Sequence, residues 1–514
     1  MAMPRFLSDL FGRGPRYTLQ NMRALRQAAG PETMSGEVEA MQPKWRVIAD
    51  VMEGYDAIKR GGENYLCRFE DEGEKKFKRR IQEAPWRPVF PAAIESISSR
   101  PFATPVSLDG DPSDRMKTFG QDVDAQGNNL NVFARRLFEY GVTFGLGVFL
   151  VDFSRATPRA DGLPLTRRDE MDQGLRPYWV HIPVRNLIDL RTDMINGREV
   201  VTHIRYREFA SDYDGFEEVC RERIRMIELD AAGKPYWTLF EKQSNAGFGP
   251  IASGDLTIPE IPVVRFFTGP VDGAIKTKPP MYELARMAIE YYRALARQWE
   301  VENFSGWPIL AGQGIAKDQN SKDEIAVGPN TVLFAPPSDS AGGAKWEIIG
   351  PDAALVEQVR KTPADVLDAF NKLAMQPTIP QQGVTATASG IDNSRAHSAI
   401  EAWANLLADA LNNGLRFTSM WLGENDQTTA TVSTDFADVA SSVDEARVLG
   451  DAQKRGVISA KTERAELVRR SILGPDFDPD AEDEQLAREQ EGLEPEQDID
   501  PVGGDVLPFE REAS

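Results

Sequence analysis

Between Met281 and Leu422 the chain alternates long helical periodicity with short apolar runs, an order that few folds accommodate. Leu284, Met287/Ala288, Tyr291, Leu295 and Trp299/Glu302 form a stripe at three-to-four spacing over Met281–Phe304, which predicts a helix with one buried face. Such a helix of about 22 residues runs about 33 Å. On it Arg286 and Glu290 stand four apart, where an ion pair adds a few tenths of a kcal/mol. Trp307–Ala311, Thr331–Ala335 and Trp346–Ile349 follow as strand candidates separated by Gly, Pro and Asp turns. Helical periodicity resumes over Asp352–Lys361. The run Thr362-Pro363-Ala364-Asp365 then offers a cap, a proline at the first helical position and an acid shortly after, which predicts a new helix start and a kink at 362–363. A loop of small, neutral residues, Gln381–Gly390, precedes a third helix from Ser394 with Ile400, Trp403, Leu406/Leu407, Leu411 and Leu415 inward. A small β-like insert bracketed by helices is unusual for an enzyme core.

The residues before this passage read as helices and then strands. Trp45–Arg60 has helical spacing and is closed by Gly61–Gly62; Lys75–Ile81 and Ala92–Ser99 are shorter helices, and Leu130–Thr143 packs one face into a core. Val148–Phe153 accumulates apolar residues as a buried strand does. Tyr178–Ile182, Leu187–Leu190, Val200–Phe209, Arg223–Leu229, Pro235–Lys242 and Val263–Phe267 are further strand candidates, with an antiparallel hairpin expected across Asn196–Gly197. After the third helix come a strand over Thr429–Phe436 and two helices, Asp444–Arg455 and Lys461–Leu473, each stopped by a glycine. The fold class is α+β.

With 514 residues and a hydrophobic content of 41%, the chain has ample material for a core. Its net charge of −21 is uneven: residues 475–514 hold 15 acidic residues against Arg488 and Arg511, leaving −8 for the rest. The acidic end reads as a disordered tail. A mildly acidic body argues against sequence-specific DNA binding, which needs a concentrated basic face. The two cysteines, Cys67 and Cys220, suit a reduced chain. No signal peptide is expected, and Leu137–Phe153 carries Glu139 and several Gly and Thr residues, so no membrane association is expected.

The residue types that carry catalysis are sparse. The chain has three histidines, His181, His203 and His397, none at ligand spacing from another His, a Cys or an acid pair. Gly141, Gly145 and Gly147 resemble a nucleotide loop only in composition, since helix precedes them and strand follows, the reverse of a phosphate loop. Asp476, Asp478 and Asp480 lack the glycine and terminal glutamate of a calcium loop. Lys454-Arg455-Gly456 sits between two helices, but Glu463 and Glu466 on the second would repel a DNA backbone. The expectation is a non-enzyme with no catalytic residues, metal or cofactor.

Several segments resemble tailed-bacteriophage portal proteins, particularly a portal-like family known only as a domain of unknown function. They are Phe138–Phe153, Pro279-Pro280-Met281-Tyr282-Glu283-Leu284-Ala285, Phe304-Ser305-Gly306-Trp307-Pro308-Ile309-Leu310, Thr385-Ala386-Thr387-Ala388-Ser389-Gly390, and Gly456-Val457-Ile458-Ser459 leading to Glu466-Leu467-Val468-Arg469-Arg470. The resemblance spans residues 45–485 and rests on order and texture more than on a strict motif.

The resemblance implies a portal-like fold with an α/β wing, a helical stem, a small β-rich clip and a short C-terminal crown-like helical region. Residues 1–44 would be a basic arm, 45–280 the wing, 281–304 the first stem helix and 305–350 the clip. Residues 351–375 would be the second stem helix, 376–393 the tunnel-loop region, 394–440 a helix and strand returning to the wing, 441–485 the crown and 486–514 the acidic tail. By the same analogy Leu284, Tyr291, Leu295, Trp299, Val366 and Phe370 are stem residues at subunit contacts, and Trp307, Ile309, Val332, Phe334 and Trp346 belong to the clip. Gln381, Gln382, Thr385, Thr387, Ser389 and Asn393 would lie at the channel-facing loop, and Arg5, Arg13 and Arg16 are candidates to touch DNA or scaffold. The implied assembly is a homo-oligomeric ring, usually of twelve subunits, made in the host cytoplasm and placed at the capsid portal vertex of the virion. Double-stranded DNA would pass through it non-specifically. Its implied partners are the terminase large subunit, head–tail adaptor or neck proteins, and the major capsid and scaffold proteins.

A closed ring needs head-to-tail interfaces, and a conduit must hold DNA weakly, which a loop of small neutral side chains suits. The inserted clip is expected to pair strands between neighbouring subunits. Two other readings are another neck or minor capsid protein, and a soluble hydrolase whose scattered carboxylates converge in a cleft.

Overall fold

Ser35 opens the first helix, its hydroxyl accepting from the Val38 N–H at 3.5 Å, so α1 (Gly36–Glu53) starts well before Trp45. Its inward face is Val38, Met41, Trp45, Ile48 and Val51. Gly54, at φ 86°, then breaks the chain before α2 (Tyr55–Gly61). The single helix expected over Trp45–Arg60 is therefore two, because a glycine in the left-handed region ends one axis and starts another. The computed structural model describes residues 30–70, 72–154, 157, 166–243, 247–305, 309–313, 332–335, 345–349, 352–374, 386–424, 427–434, 442–469, 473, 477 and 481–483. They fall into two units, one within residues 1–435 and one within 436–514.

In the first unit α3 (Glu74–Glu83), α4 (Val89–Ser99), β1 (Ser107–Asp109), α5 (Asp114–Gln121), α6 (Leu130–Phe144) and β2 (Leu146–Phe153) follow in order. Gly145, at φ 81°, joins α6 directly to β2. The glycine triplet is a packing device: a Cβ on Gly141 would stand 2.3 Å from Phe266, and one on Gly147 2.8 Å from Leu137. Next come α7 (Arg167–Asp172), β3 (Pro177–Ile182), β4 (Leu187–Ile195), β5 (Arg198–Asp214), β6 (Glu217–Leu229), β7 (Pro235–Gln243), β8 (Gly247–Asp255) and β9 (Val263–Phe267).

Two antiparallel sheets result, one ordered β3-β2-β9 and the other a β4-β5-β6-β7-β8 meander. Asn196 and Gly197, at φ 52° and 77°, make the expected turn between β4 and β5. Strand β8 has no expected counterpart: its sequence, Gly-Phe-Gly-Pro-Ile-Ala-Ser-Gly-Asp, has neither alternation nor β-branched content beyond Ile251. It is an edge strand, where Pro250 opposite Phe240 at a register shift costs no inner ladder bond.

Helix α8 (Tyr282–Ser305) leads into β10 (Ile309–Gln313), β11 (Val332–Ala335) and β12 (Lys345–Ile349), a separate sheet ordered β11-β10-β12. Helix α9 (Ala353–Leu373) is one element containing Pro363. The new start expected at Thr362 is absent, because Asp352 caps the helix and the Thr362 hydroxyl donates back to the Gln358 carbonyl at 3.0 Å. Helix α10 (Ala386–Leu422) then runs 37 residues, about 55 Å. The strand expected over Thr429–Phe436 is only β13 (Thr429–Thr431), paired with β1.

The second unit contains α11 (Ser442–Lys454) and α12 (Ala460–Arg469), joined through Gly456 at φ 74°. Ser459 caps α12, accepting from the Thr462 N–H at 3.2 Å, and Arg464 pairs with Asp483. No described helix is long and apolar enough to cross a membrane.

A candidate assembly stem

Helix α8 is half anchored and half bare. Its seated face is Met281, Leu284, Ala285, Ala288, Ile289, Tyr292 and Ala296, all buried. The stripe predicted through Tyr291 and Leu295 is therefore rotated by one residue. The reason is the alanines, which let the helix approach α1, α4 and α9 closely; larger residues at their flanks looked like the stripe in sequence. Tyr291 and Leu295 are half-buried flanks, and Arg286 pairs with Glu283 at 3.4 Å rather than with Glu290.

A polar collar holds α8 between Tyr292 and Glu300. Arg293 donates to the Tyr65 carbonyl at 2.7 Å, and Trp86 meets Tyr292 edge-on at 5.7 Å between centroids. Lys59 donates to the Ile81 and Ala84 carbonyls and lies 5.4 Å from the Tyr292 ring centre. Burial pulls its ammonium down to about 8. Arg80 binds Glu72 at 2.6 Å and Glu300 at 3.2 Å. Burial raises the Glu300 carboxyl above its usual range, against the pull of Arg80. None of these residues except Tyr292's neighbours on the stripe was singled out in sequence, since their partners lie on other helices.

Past Ala296 none of the described α8 side chains is buried, and Trp299 is 42% exposed. Arg360 of α9 reaches Glu302 at 3.3 Å. Along α9, Pro363, Phe370 and Ala374 are buried, while Val366 is half-buried and Leu373 is 49% exposed. Of the six expected stem contacts, Leu284 and Phe370 are thus consumed inside the chain. Trp299 stands out into solvent, and Tyr291, Leu295 and Val366 lie between these extremes.

The hairpin of α8 and α9 is linked through the three-stranded sheet. Position 310 pairs with Val332, Ile309 with Ile349, and Gly312 lies between Phe334 on the parallel side and Trp346 on the antiparallel side. Within the chain β10 is the centre of this sheet and β11 and β12 are its edges. Trp307 lies outside the described residues.

Helix α10 is fastened at its C-terminal half. Trp179 donates to the Thr418 hydroxyl at 2.9 Å and Trp421 to the Val151 carbonyl at 3.0 Å. Arg416 forks onto Glu260 at 3.0 and 3.2 Å. Thr387, Ser389 and Asn393, expected in or beside a loop, are on the helix, which begins at Ala386 rather than Ser394. Gln381, Gln382 and Thr385, and likewise Arg5, Arg13 and Arg16, lie outside the described residues.

Elsewhere charges are answered by charges. A cavity of about 500 Å³ is lined by Arg198, Arg265 and Arg416 together with Glu199 and Glu260; Arg265 pairs with Glu199 at 3.1 Å and Arg198 approaches Glu260 at 3.7 Å. Buried Asp189 accepts from Arg191 and Arg205 at 2.7 and 3.1 Å. Burial alone would raise its carboxyl, but these cations and His203 hold it below the usual range. Among the described residues no cluster of three His, Cys, Asp or Glu could hold a metal ion.

The geometry defines a mixed helix-and-sheet body carrying a helical hairpin linked by a small sheet. The sequence profile of a family described as "Domain of unknown function (DUF4055)" matches residues 280–422, which span that hairpin, its sheet and α10. A search of curated proteins finds no match. Among solved structures the chain is similar to one from the "Neck of native GTA particle computed with C12 symmetry", at 14% identity and TM-score 0.37, covering 73% of this chain and 88% of that one. It is also similar to one from the "Neck of empty GTA particle computed with C6 symmetry", at 14% and 0.38, covering 79% and 98%. A third, from the "Virion of native gene transfer agent (GTA) particle", stands at 14% and 0.38, covering 80% and 98%.

Proposed function

We propose that the chain is a portal-type virion component: a homo-oligomeric ring through which double-stranded DNA enters and leaves a phage-like capsid, acting by shape and without covalent chemistry. The observation that carries this reading is the half-bare α8–α9 hairpin. Its near half is seated by seven buried residues, and its far half exposes Trp299 and leads into a sheet of three short strands. An apolar helical pair left uncovered in one chain is stable when neighbouring copies cover it.

The sequence resemblance to portal proteins adds to this reading, as does the uncharged stretch from Gln381 to Gly390. The edge strands β11 and β12 suit docking of a motor or neck protein by strand addition. Within the body three carboxylates are engaged by arginines: Asp152 with Arg225, Asp189 with Arg191 and Arg205, and Glu260 with Arg416.

The test replaces residues 306–350 with a short Gly/Ser linker in particles that assemble in the host. Heads should form and remain empty of DNA, with the purified motor no longer binding the ring. Full heads would contradict the docking role of the sheet.

A further inference from the structure

Strands β5 and β6 outrun the sheet that holds them. β4 pairs with β5 only as far as Tyr206, and β7 pairs with β6 only from Arg223 onward. Beyond these points Phe209–Asp214 pairs with Glu217–Glu222 as a two-stranded arm, about 20 Å long. Such a ribbon is marginal alone in water. This one displays Phe209, Tyr213 and Phe216 at 59%, 74% and 109% exposure, a surface suited to being covered.

The arm is also acidic. From Glu208 to Glu222 the sequence has six carboxylates against Arg221 alone. Glu208 is answered by Arg225, Asp212 by Arg221, and Glu222 by Arg207 and Lys242. At the tip, Glu217 and Glu218 have no partner among the described residues.

The complementary surface lies on α3. Lys75, Lys76, Lys78 and Arg79 are all exposed there. Lys78 and Arg79 pair with Glu74 and Glu83 on the same helix, while Lys75 and Lys76 have no partner among the described residues. Two exposed aromatic rings border the helix. The Tyr55 hydroxyl reaches the Gln82 carbonyl at 3.5 Å, and Phe69 lies 4.3 Å from the Arg80 guanidinium.

We propose that the β5–β6 arm of one copy docks on the α2–α3 face of the next, with Glu218, Phe209 and Tyr213, which share one face of the ribbon, against Lys75, Lys76, Tyr55 and Phe69, and Glu217 adding to the negative charge of the tip. An acidic arm and a basic socket on one chain give head-to-tail association, the kind that closes into rings. This rests on the ring reading above and names one of its interfaces.

The chain's two cysteines make the test direct: Cys220 is on the arm, Cys67 lies beside α3, and both are free and exposed. In assembled wild-type protein a short bis-maleimide should link Cys220 of one copy to Cys67 of the next, giving a ladder of multimers on a denaturing gel. The double variant Glu217→Lys with Glu218→Lys should cut the yield about tenfold, and adding Lys75→Glu with Lys76→Glu should restore it. A ring by mass measurement without the Cys67–Cys220 peptide overturns the docking and leaves the ring reading standing. A chain that stays monomeric with Cys220 freely labelled overturns both. Cys220 shielded in a monomer assigns the arm to its own chain, and Cys220–Cys220 linkage assigns it to a symmetric dimer; either result overturns the proposal.

Discussion

Trp86 stands edge-on to Tyr292, ring centroids 5.7 Å apart and planes at 64°, on the part of α8 that the body holds. The Tyr292 ring is 1% exposed and its hydroxyl has no hydrogen-bond partner among the described residues. Burial pushes that hydroxyl up to about 12. The ring packs, and the oxygen contributes nothing favourable.

Tyr292→Phe should therefore leave stability unchanged or raise it slightly, whereas Tyr292→Ala should cost about 3–5 kcal/mol through cavity formation. Denaturant melts of both variants check this. A loss in Tyr292→Phe as large as in Tyr292→Ala would show that the hydroxyl is engaged.

Gly414 is where α10 meets the β3-β2-β9 sheet most closely. A Cβ there would lie 2.8 Å from Phe149 and 2.9 Å from Trp179, both rings buried. Gly414→Val should destabilise the body by about 1–3 kcal/mol through overpacking. An unchanged melting curve would place the helix farther from the sheet.

The Gly141–Gly147 junction and the Asn196–Gly197 hairpin were legible because each depends on neighbours in sequence. The stem stripe was legible only to within one residue: choosing large apolar side chains selected Tyr291 and Leu295, while the tight face is built on Ala285, Ala288 and Ala296. The helix end at Ala386 was missed because Thr, Ala and Ser in a row mark a loop by composition as readily as a helix. The overhanging β5–β6 arm could not be seen at all. Its length is set by where β4 and β7 stop pairing, which is a property of the partners. Its aromatic residues set among acids were the available signal.

His181 gives the body a defined acid sensitivity. It packs 4.4 Å from the Tyr140 ring centre, and burial pulls its pKa from 6.5 to about 4. The unfolded chain takes up this proton as pH falls through 6.5 and the native chain does not until about 4. The contribution is thus fully present above the unfolded value and lost on acidification, by about 3 kcal/mol across the window. His181→Phe should flatten the stability profile between those values, and parallel profiles for variant and wild type would contradict the assignment.

Trp299 tests the stem separately from the fold. Replaced by alanine, this 42% exposed side chain should leave the melting of the monomer unchanged and raise the concentration needed for assembly by roughly tenfold or more. Equal assembly of both proteins would remove Trp299 from the interface.

The central claim is that this chain closes into a ring. Native mass measurement of the purified protein, with negative-stain images of the same sample, tests it most directly. The account predicts a single closed species of about twelve copies with a central hole. A monomer or a two-fold dimer at every concentration and salt condition tried would contradict it.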